Sequence, residues 1–179
     1  SDCLAAKCGA LSWRLTDLAG RTLCQARKTV AIPARKDTLV ETLDLQEPIQ
    51  RWGTTNLLLW LDLAVGGQSV STNLVLLARP KQMELPDPGI IADVKLLPVP
   101  ASCAGDAGAD RPGFAVTLRA RKPALWAWIE LAGQDAEYSD NFGHLAAGQP
   151  VRIEIVPQRD LSLAQVRKTL RVRSLVDTY

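Results

Sequence analysis

One histidine, His144, six glutamates, four cysteines and five tryptophans are the side chains of this sequence from which a reaction or a binding site could be built. A serine triad or a multi-histidine metal site would have to rest on that one imidazole, and no acid stands at a spacing that would make it a general base. His144 is therefore read as a loop residue. Glu130 and Glu154 could supply a carboxylate pair of the kind that cleaves glycosidic bonds, but such acids need a pocket, which alternating strands rarely form. Solvated strand faces account for them. Cys3, Cys8, Cys24 and Cys103 lack the CxxC spacing of a zinc site and the density of a disulfide framework; a Cys3 to Cys8 bridge stays open beside the reading of isolated apolar cysteines. The stretch Gly105-Asp106-Ala107-Gly108-Ala109-Asp110 has two carboxylates, where a calcium loop wants several and a closing glutamate, so it reads as a surface loop. No catalytic residue, metal or cofactor is expected within the chain.

Two groups of residues say more. Asp140 and Asn141 stand between aromatic residues as sugar-binding polar pairs do, yet Asx side chains also bond their own backbone and close turns. Between two strand-like runs the structural turn is the better reading. Trp126 and Trp128 alternate with Leu125, Ala127, Ile129 and Leu131, which form a fully apolar face. The tryptophans and Glu130 should thus point away from the core. An outward aromatic pair means a contact with a neighbouring domain or a carbohydrate-stacking platform, and the domain contact is the preferred reading. Trp13 shares a face with Leu11 and Leu15 and should be core, as should Trp60 in a strand covered on both sides.

The elements that must position these residues are strands. Period-two alternation runs from Gly9 to Leu18; further strands are expected over Arg21 to Ile32 and Thr38 to Leu45. The apolar run Asn56 to Val65 turns through Gly66-Gly67 into Gln68 to Leu77. The prolines of Ala78 to Gly89 read as a linker, with the boundary near Glu84. Strands then resume at Ile91 to Leu97, Phe114 to Arg121, Leu125 to Leu131, Tyr138 to Asn141, Val151 to Val156 and Leu170 to Val176. Only Leu161 to Leu170 suggests an amphipathic helix. Without crossover helices the sheets must be antiparallel, and the expected fold is all-β: two immunoglobulin-like antiparallel sandwiches in tandem, over 1–83 and 84–179. The first half opens in mid-pattern at Ser1-Asp2, so a leading strand is expected upstream.

A net charge of +2 from 21 basic and 19 acidic side chains, well mixed, offers no phosphate-tracking surface, and no nucleic acid is expected as partner. No apolar run approaches the roughly 20 residues that span a bilayer, and the first residues lack a signal-peptide pattern. No membrane partner is expected either.

Three stretches carry a family resemblance: Ala10-Leu11-Ser12-Trp13-Arg14-Leu15 with Asp17-Leu18-Ala19-Gly20; Pro80-Lys81-Gln82-Met83-Glu84-Leu85-Pro86-Asp87-Pro88; and Tyr138-Ser139-Asp140-Asn141-Phe142 with Leu145 and Gly148. Together they resemble the C-terminal part of the beta-mannosidases of glycoside hydrolase family two. Gly143-His144 departs from the aromatic and acidic residues usual there, and the Ala101 to Gly113 loop looks like an insertion. The resemblance implies a non-catalytic accessory region. Its parent would be a retaining hydrolase releasing beta-D-mannose from non-reducing ends, with two glutamates on a TIM barrel upstream of Ser1. The upstream barrel of the same polypeptide is then the expected partner, and a periplasmic or secreted location is expected from the family. The alternatives are a carbohydrate-binding module that holds mannose-containing glycans on Trp126 and Trp128, or the same region of an exo-beta-glucosaminidase.

Overall fold

The computed structural model describes residues 5–97 and 112–178, and the chain divides into two compact units, Ser1–Leu85 and Pro86–Tyr179. The glycine-rich stretch 105–110 weighed as a calcium loop lies outside the described residues, as do Cys3 and Cys103. Among the described residues no helix is long and apolar enough to cross a membrane.

The first unit is one antiparallel sheet in the order β2-β1-β3-β4, formed by β1 (Lys7–Asp17), β2 (Thr22–Ile32), β3 (Leu57–Val65) and β4 (Gln68–Leu76). The β1–β2 turn is held by Asp17, whose carboxylate accepts the Arg21 backbone N–H at 2.8 Å and the Arg21 Nε–H at 2.6 Å. Gly66 and Gly67, at φ 61° and 83°, make the β3–β4 turn in a conformation that suits the twist of the hairpin and penalises any residue with a Cβ. Leu15 lies between Cys24 and Leu59, and Trp13 between Ala26 and Leu61. Leu15, Leu57 and Leu59 form the buried centre.

A strand over Thr38 to Leu45 does not form; that stretch is irregular and leads into α1 (Gln46–Trp52). Leu45, Ile49 and Trp52 recur at helical spacing and all pack against the Leu15 cluster, so burial in the helical register wins over the short alternation before it. Pro48 falls in the first turn, where its missing N–H costs nothing. The expectation for Trp60 is also corrected. β3 is buried only over Leu57 to Leu59; Trp60 is half-buried and donates its indole N–H to Thr16 Oγ1 at 3.0 Å.

The second unit is a sandwich of two sheets. One, in the order β5-β6-β10-β8, contains β5 (Ile91–Leu96), β6 (Phe114–Arg119), β8 (Ala136–Tyr138) and β10 (Val151–Pro157). The other, in the order β11-β7-β9, contains β7 (Ala124–Leu131), β9 (Gly143–Leu145) and β11 (Leu170–Arg173). Phe114, Val116 and Leu118 of β6 and Ile153 and Ile155 of β10 share one core with Ala127, Ile129 and Leu131 of β7 and Leu145 of β9. The amphipathic stretch forms α2 (Leu163–Thr169), started by a capping box between Ser162 and Gln165 and anchored by the fully buried Val166. The strand expected over Tyr138 to Asn141 stops at Tyr138, because Asp140 and Asn141 turn the chain before β9. All these pairings are antiparallel, and the fold is that of tandem immunoglobulin-like domains.

Candidate functional site

β7 sets the geometry of an exposed aromatic surface in the described second unit. Leu125, Ala127, Ile129 and Leu131 are at most 3% exposed, so Trp126, Trp128 and Glu130 face outward. The alternation is interrupted at Trp126, which sits at φ 44° where the β7–β9 register shifts between Ala124 and Ala127. A tryptophan in the left-handed region stores strain that its surroundings must hold.

The segment after β8 does the holding. The His144 Nδ1 accepts the Trp126 backbone N–H at 3.2 Å, and the Tyr138 hydroxyl accepts that of Leu131 at 3.0 Å. Between them the Asn141 carboxamide accepts the Ile129 N–H at 2.9 Å and donates to the Ile129 carbonyl at 3.0 Å, as an antiparallel strand residue would. Beyond the short β9 ladder the Tyr138 and Asn141 side chains thus stand in for a strand along β7, and His144, within β9, bonds the bulged Trp126. Ser139 ties the same segment to the opposite sheet: its N–H donates to the Glu154 carbonyl and its hydroxyl accepts the Glu154 N–H, both at 2.9 Å. Asp140 accepts the Asn141 N–H at 2.8 Å.

This pinning assembles four rings. His144 meets the Trp126 ring edge-on at 5.1 Å, and Phe142 stacks on Trp128 at 5.7 Å with 21° between planes. Trp126 is 36% exposed and Phe142 59%, so the patch faces solvent. Across β7, Arg173 lies opposite Trp128 and Arg171 opposite Glu130, and Arg173 approaches the Glu130 carboxylate at 3.7 Å. Sequence reasoning placed the two tryptophans outward but left Phe142 and His144 out of the surface. The spacing of Tyr138, Asn141 and His144 was the available signal.

The patch is built to stack. Burial pushes His144 below the ordinary histidine range, and its Nδ1 lone pair already accepts a hydrogen bond, which leaves it poorly placed to serve as a base. Glu130 and Glu154 stand on different sheets, the latter paired with Arg152 at 3.0 Å. Cys8 and Cys24 are free thiols; burial, with the nearby Glu47 charge, pushes the Cys24 thiol up and away from reactivity. Among the described residues no group of three or more His, Cys, Asp or Glu side chains is arranged to hold a metal.

Antiparallel strands in two immunoglobulin-like units set the class, and the family comparisons narrow it. Residues 85–178 match the Ig-fold domain model of the mannosidase immunoglobulin family, and residues 1–82 match the mannosidase Ig/CBM-like domain. The chain belongs to this family of mannosidase immunoglobulin-like domains. No curated protein matches the chain. Among solved structures it is similar to a beta-D-mannosidase from Dictyoglomus thermophilum, with a TM-score of 0.76 and 16% identity over 96% of this chain. It is also similar to an exo-chitosanase from Amycolatopsis orientalis, with a TM-score of 0.59 and 16% identity over 97% of this chain. At that identity the likeness concerns the fold alone, and the chain spans 19% and 23% of those two proteins.

Proposed function

We propose that this chain is the non-catalytic C-terminal accessory region of a beta-mannosidase, a retaining hydrolase that releases beta-D-mannose from non-reducing ends. It packs against the upstream catalytic barrel and supports it. Asp140 and Asn141 serve as a structural turn that braces the docking face. The observation that carries the reading is the outward aromatic patch of Trp126, Trp128 and Phe142, which the core of its own unit leaves uncovered. Covering the exposed part of Trp126 and Phe142 removes on the order of 150 Å² of ring surface from water, about 4 kcal/mol at most. That is enough for a docking contact to register in stability.

The test uses the whole parent enzyme. Trp126→Ala and Phe142→Ala should lower its thermal inactivation temperature and leave kcat on an aryl mannoside nearly unchanged. Unchanged inactivation in both variants would overturn the docking role, and a parent that hydrolysed aryl glucosaminides instead would place it in the exo-beta-glucosaminidase branch. A second reading, a platform for mannose-containing glycans, is favoured by the Glu130–Arg173 pair beside the rings, since sugars need both stacking and hydroxyl partners. Saturable heat on titrating the chain with manno-oligosaccharides, lost in Trp126→Ala, would select it.

A further inference from the structure

Three side chains pin the β9 side of β7, and only the imidazole among them changes its hydrogen-bonding capacity between pH 5 and 8. An amide oxygen or a hydroxyl oxygen accepts hydrogen bonds without titrating as an imidazole nitrogen does. We infer that His144 is an acid-sensitive latch on the aromatic face: neutral, it holds Trp126 in the left-handed conformation that presents its ring, and on protonation at Nδ1 it lets go. The inference rests on reading that face as a docking surface, whose presentation it would regulate.

The chemistry follows from the imidazole. In the neutral ring the proton sits on Nε2 and the Nδ1 lone pair accepts the Trp126 N–H. With a second proton on Nδ1 both nitrogens are donors, and a donor then faces a donor across 3.2 Å. The ladder cannot compensate, because the register shift between Ala124 and Ala127 removes the strand partner at this point. Between the flanking ladder pairs Ala124–Leu145 and Ala127–Gly143, the hydrogen bond and the edge-on ring contact at 5.1 Å hold Trp126 itself at φ 44°. Losing the first leaves the residue free to relax toward the extended region that tryptophan prefers.

The neighbouring charges do not rescue the proton. On β7 the outward ionisable group is Glu130, engaged by Arg173 of β11, with Arg171 opposite it. Asp140 in the turn accepts the Asn141 N–H, Glu154 of β10 pairs with Arg152, and Arg121 and Lys122 precede β7. Among the described residues none of these forms an ion pair with His144. Burial is what acts on the ring, and it keeps the latch closed at neutral pH.

The experiment follows the 179-residue chain by NMR from pH 7.5 to 4.5, reading the His144 ring carbon, the Trp126 amide shift and amide protection factors. The His144 ring and the Trp126 amide should share one midpoint below about 6.5, the ordinary histidine value. Trp126 protection should fall about tenfold or more across it, while Ile129 and Leu131 stay protected. His144→Gln keeps an acceptor that does not titrate and should make the Trp126 amide indifferent to pH; His144→Phe should leave it unprotected at every pH. A Trp126 amide that ignores the His144 titration, or that titrates equally in both variants, would overturn the latch. Docking is judged separately, by the parent-enzyme variants, so either idea can fail alone.

Discussion

Replacing Asn141 with alanine should destabilise the second unit more than any other change in its turn. The side chain satisfies both backbone groups of Ile129, a residue 1% exposed in the middle of β7. Alanine leaves a buried donor and a buried acceptor without partners, at about 1 to 3 kcal/mol each when water cannot reach them. The site lies at a strand edge where some water can enter, so a total of about 2 to 4 kcal/mol is expected. For a unit of this size each kcal/mol moves the melting temperature by about 4 to 8 °C, which predicts a fall of roughly 8 to 32 °C. The neighbouring Asp140→Ala is the internal comparison. It removes one exposed hydrogen bond, to the Asn141 N–H, and should cost about 0.5 to 1.5 kcal/mol. Asn141→Asp separates the two halves of the interaction: an aspartate oxygen still accepts the Ile129 N–H but offers the Ile129 carbonyl no donor. Its cost should fall between the other two or above, because a charge is brought beside a carbonyl. Urea or thermal unfolding gives the free energies, and exchange at the Ile129 amide ties them to the contact. If Asn141→Ala costs less than about 1 kcal/mol, or no more than Asp140→Ala, the idea that side chains replace a strand along β7 is refuted.

Two further outcomes are expected. The Trp13 indole N–H is buried with no hydrogen-bond partner, so Trp13→Phe should change stability by less than about 1 kcal/mol, relief of the unpaired donor offsetting lost ring area, whereas Trp60→Phe also breaks the bond to Thr16 and should cost more. The order of the two, measured by urea denaturation, checks this. The second concerns acid: because burial depresses the folded-state value of His144, the unfolded chain takes up its proton first as pH falls below about 6.5. This residue should therefore have no pH-dependent effect above that value, lower stability as pH falls through the folded-state value, and add no slope below it. A His144→Gln stability profile parallel to that of the unaltered chain would contradict this assignment.

The antiparallel strands were legible because their signal is local: Leu11, Trp13 and Leu15 alternate with polar residues in β1, and Gly66-Gly67 marks a hairpin whatever surrounds it. α1 was missed because seven residues with a proline near the start give little helical period, and what fixes the helix is the burial of Leu45, Ile49 and Trp52 on a distant strand. The same limit applied at the candidate site. Alternation in β7 turns Trp126 and Trp128 outward, but Phe142 and His144 join them through the β9 pairing and through hydrogen bonds that span 12 residues from Asn141 to Ile129 and 18 from His144 to Trp126. No local pattern predicts a register shift at Ala124 to Ala127, and without it His144 has nothing to accept.

One short segment also joins the two sheets of the second unit. Tyr138, Asn141 and His144 point their acceptors at β7, while Ser139 exchanges two hydrogen bonds with Glu154 of β10 in the opposing sheet. A regular strand in this position would pair with one sheet edge or the other, because its N–H and C=O groups alternate in the plane of a single ladder. The Tyr138 and Asn141 side chains reach β7 while the Ser139 backbone bonds β10, before Gly143 to Leu145 pair with β7 as β9. At the aromatic patch Phe142 at φ 60° and Trp126 at φ 44° both stand in the left-handed region. The residues that brace the fold therefore bond the strand that carries the aromatic patch, and a change that loosens the brace at Asn141 or His144 should disturb that patch before it unfolds the domain.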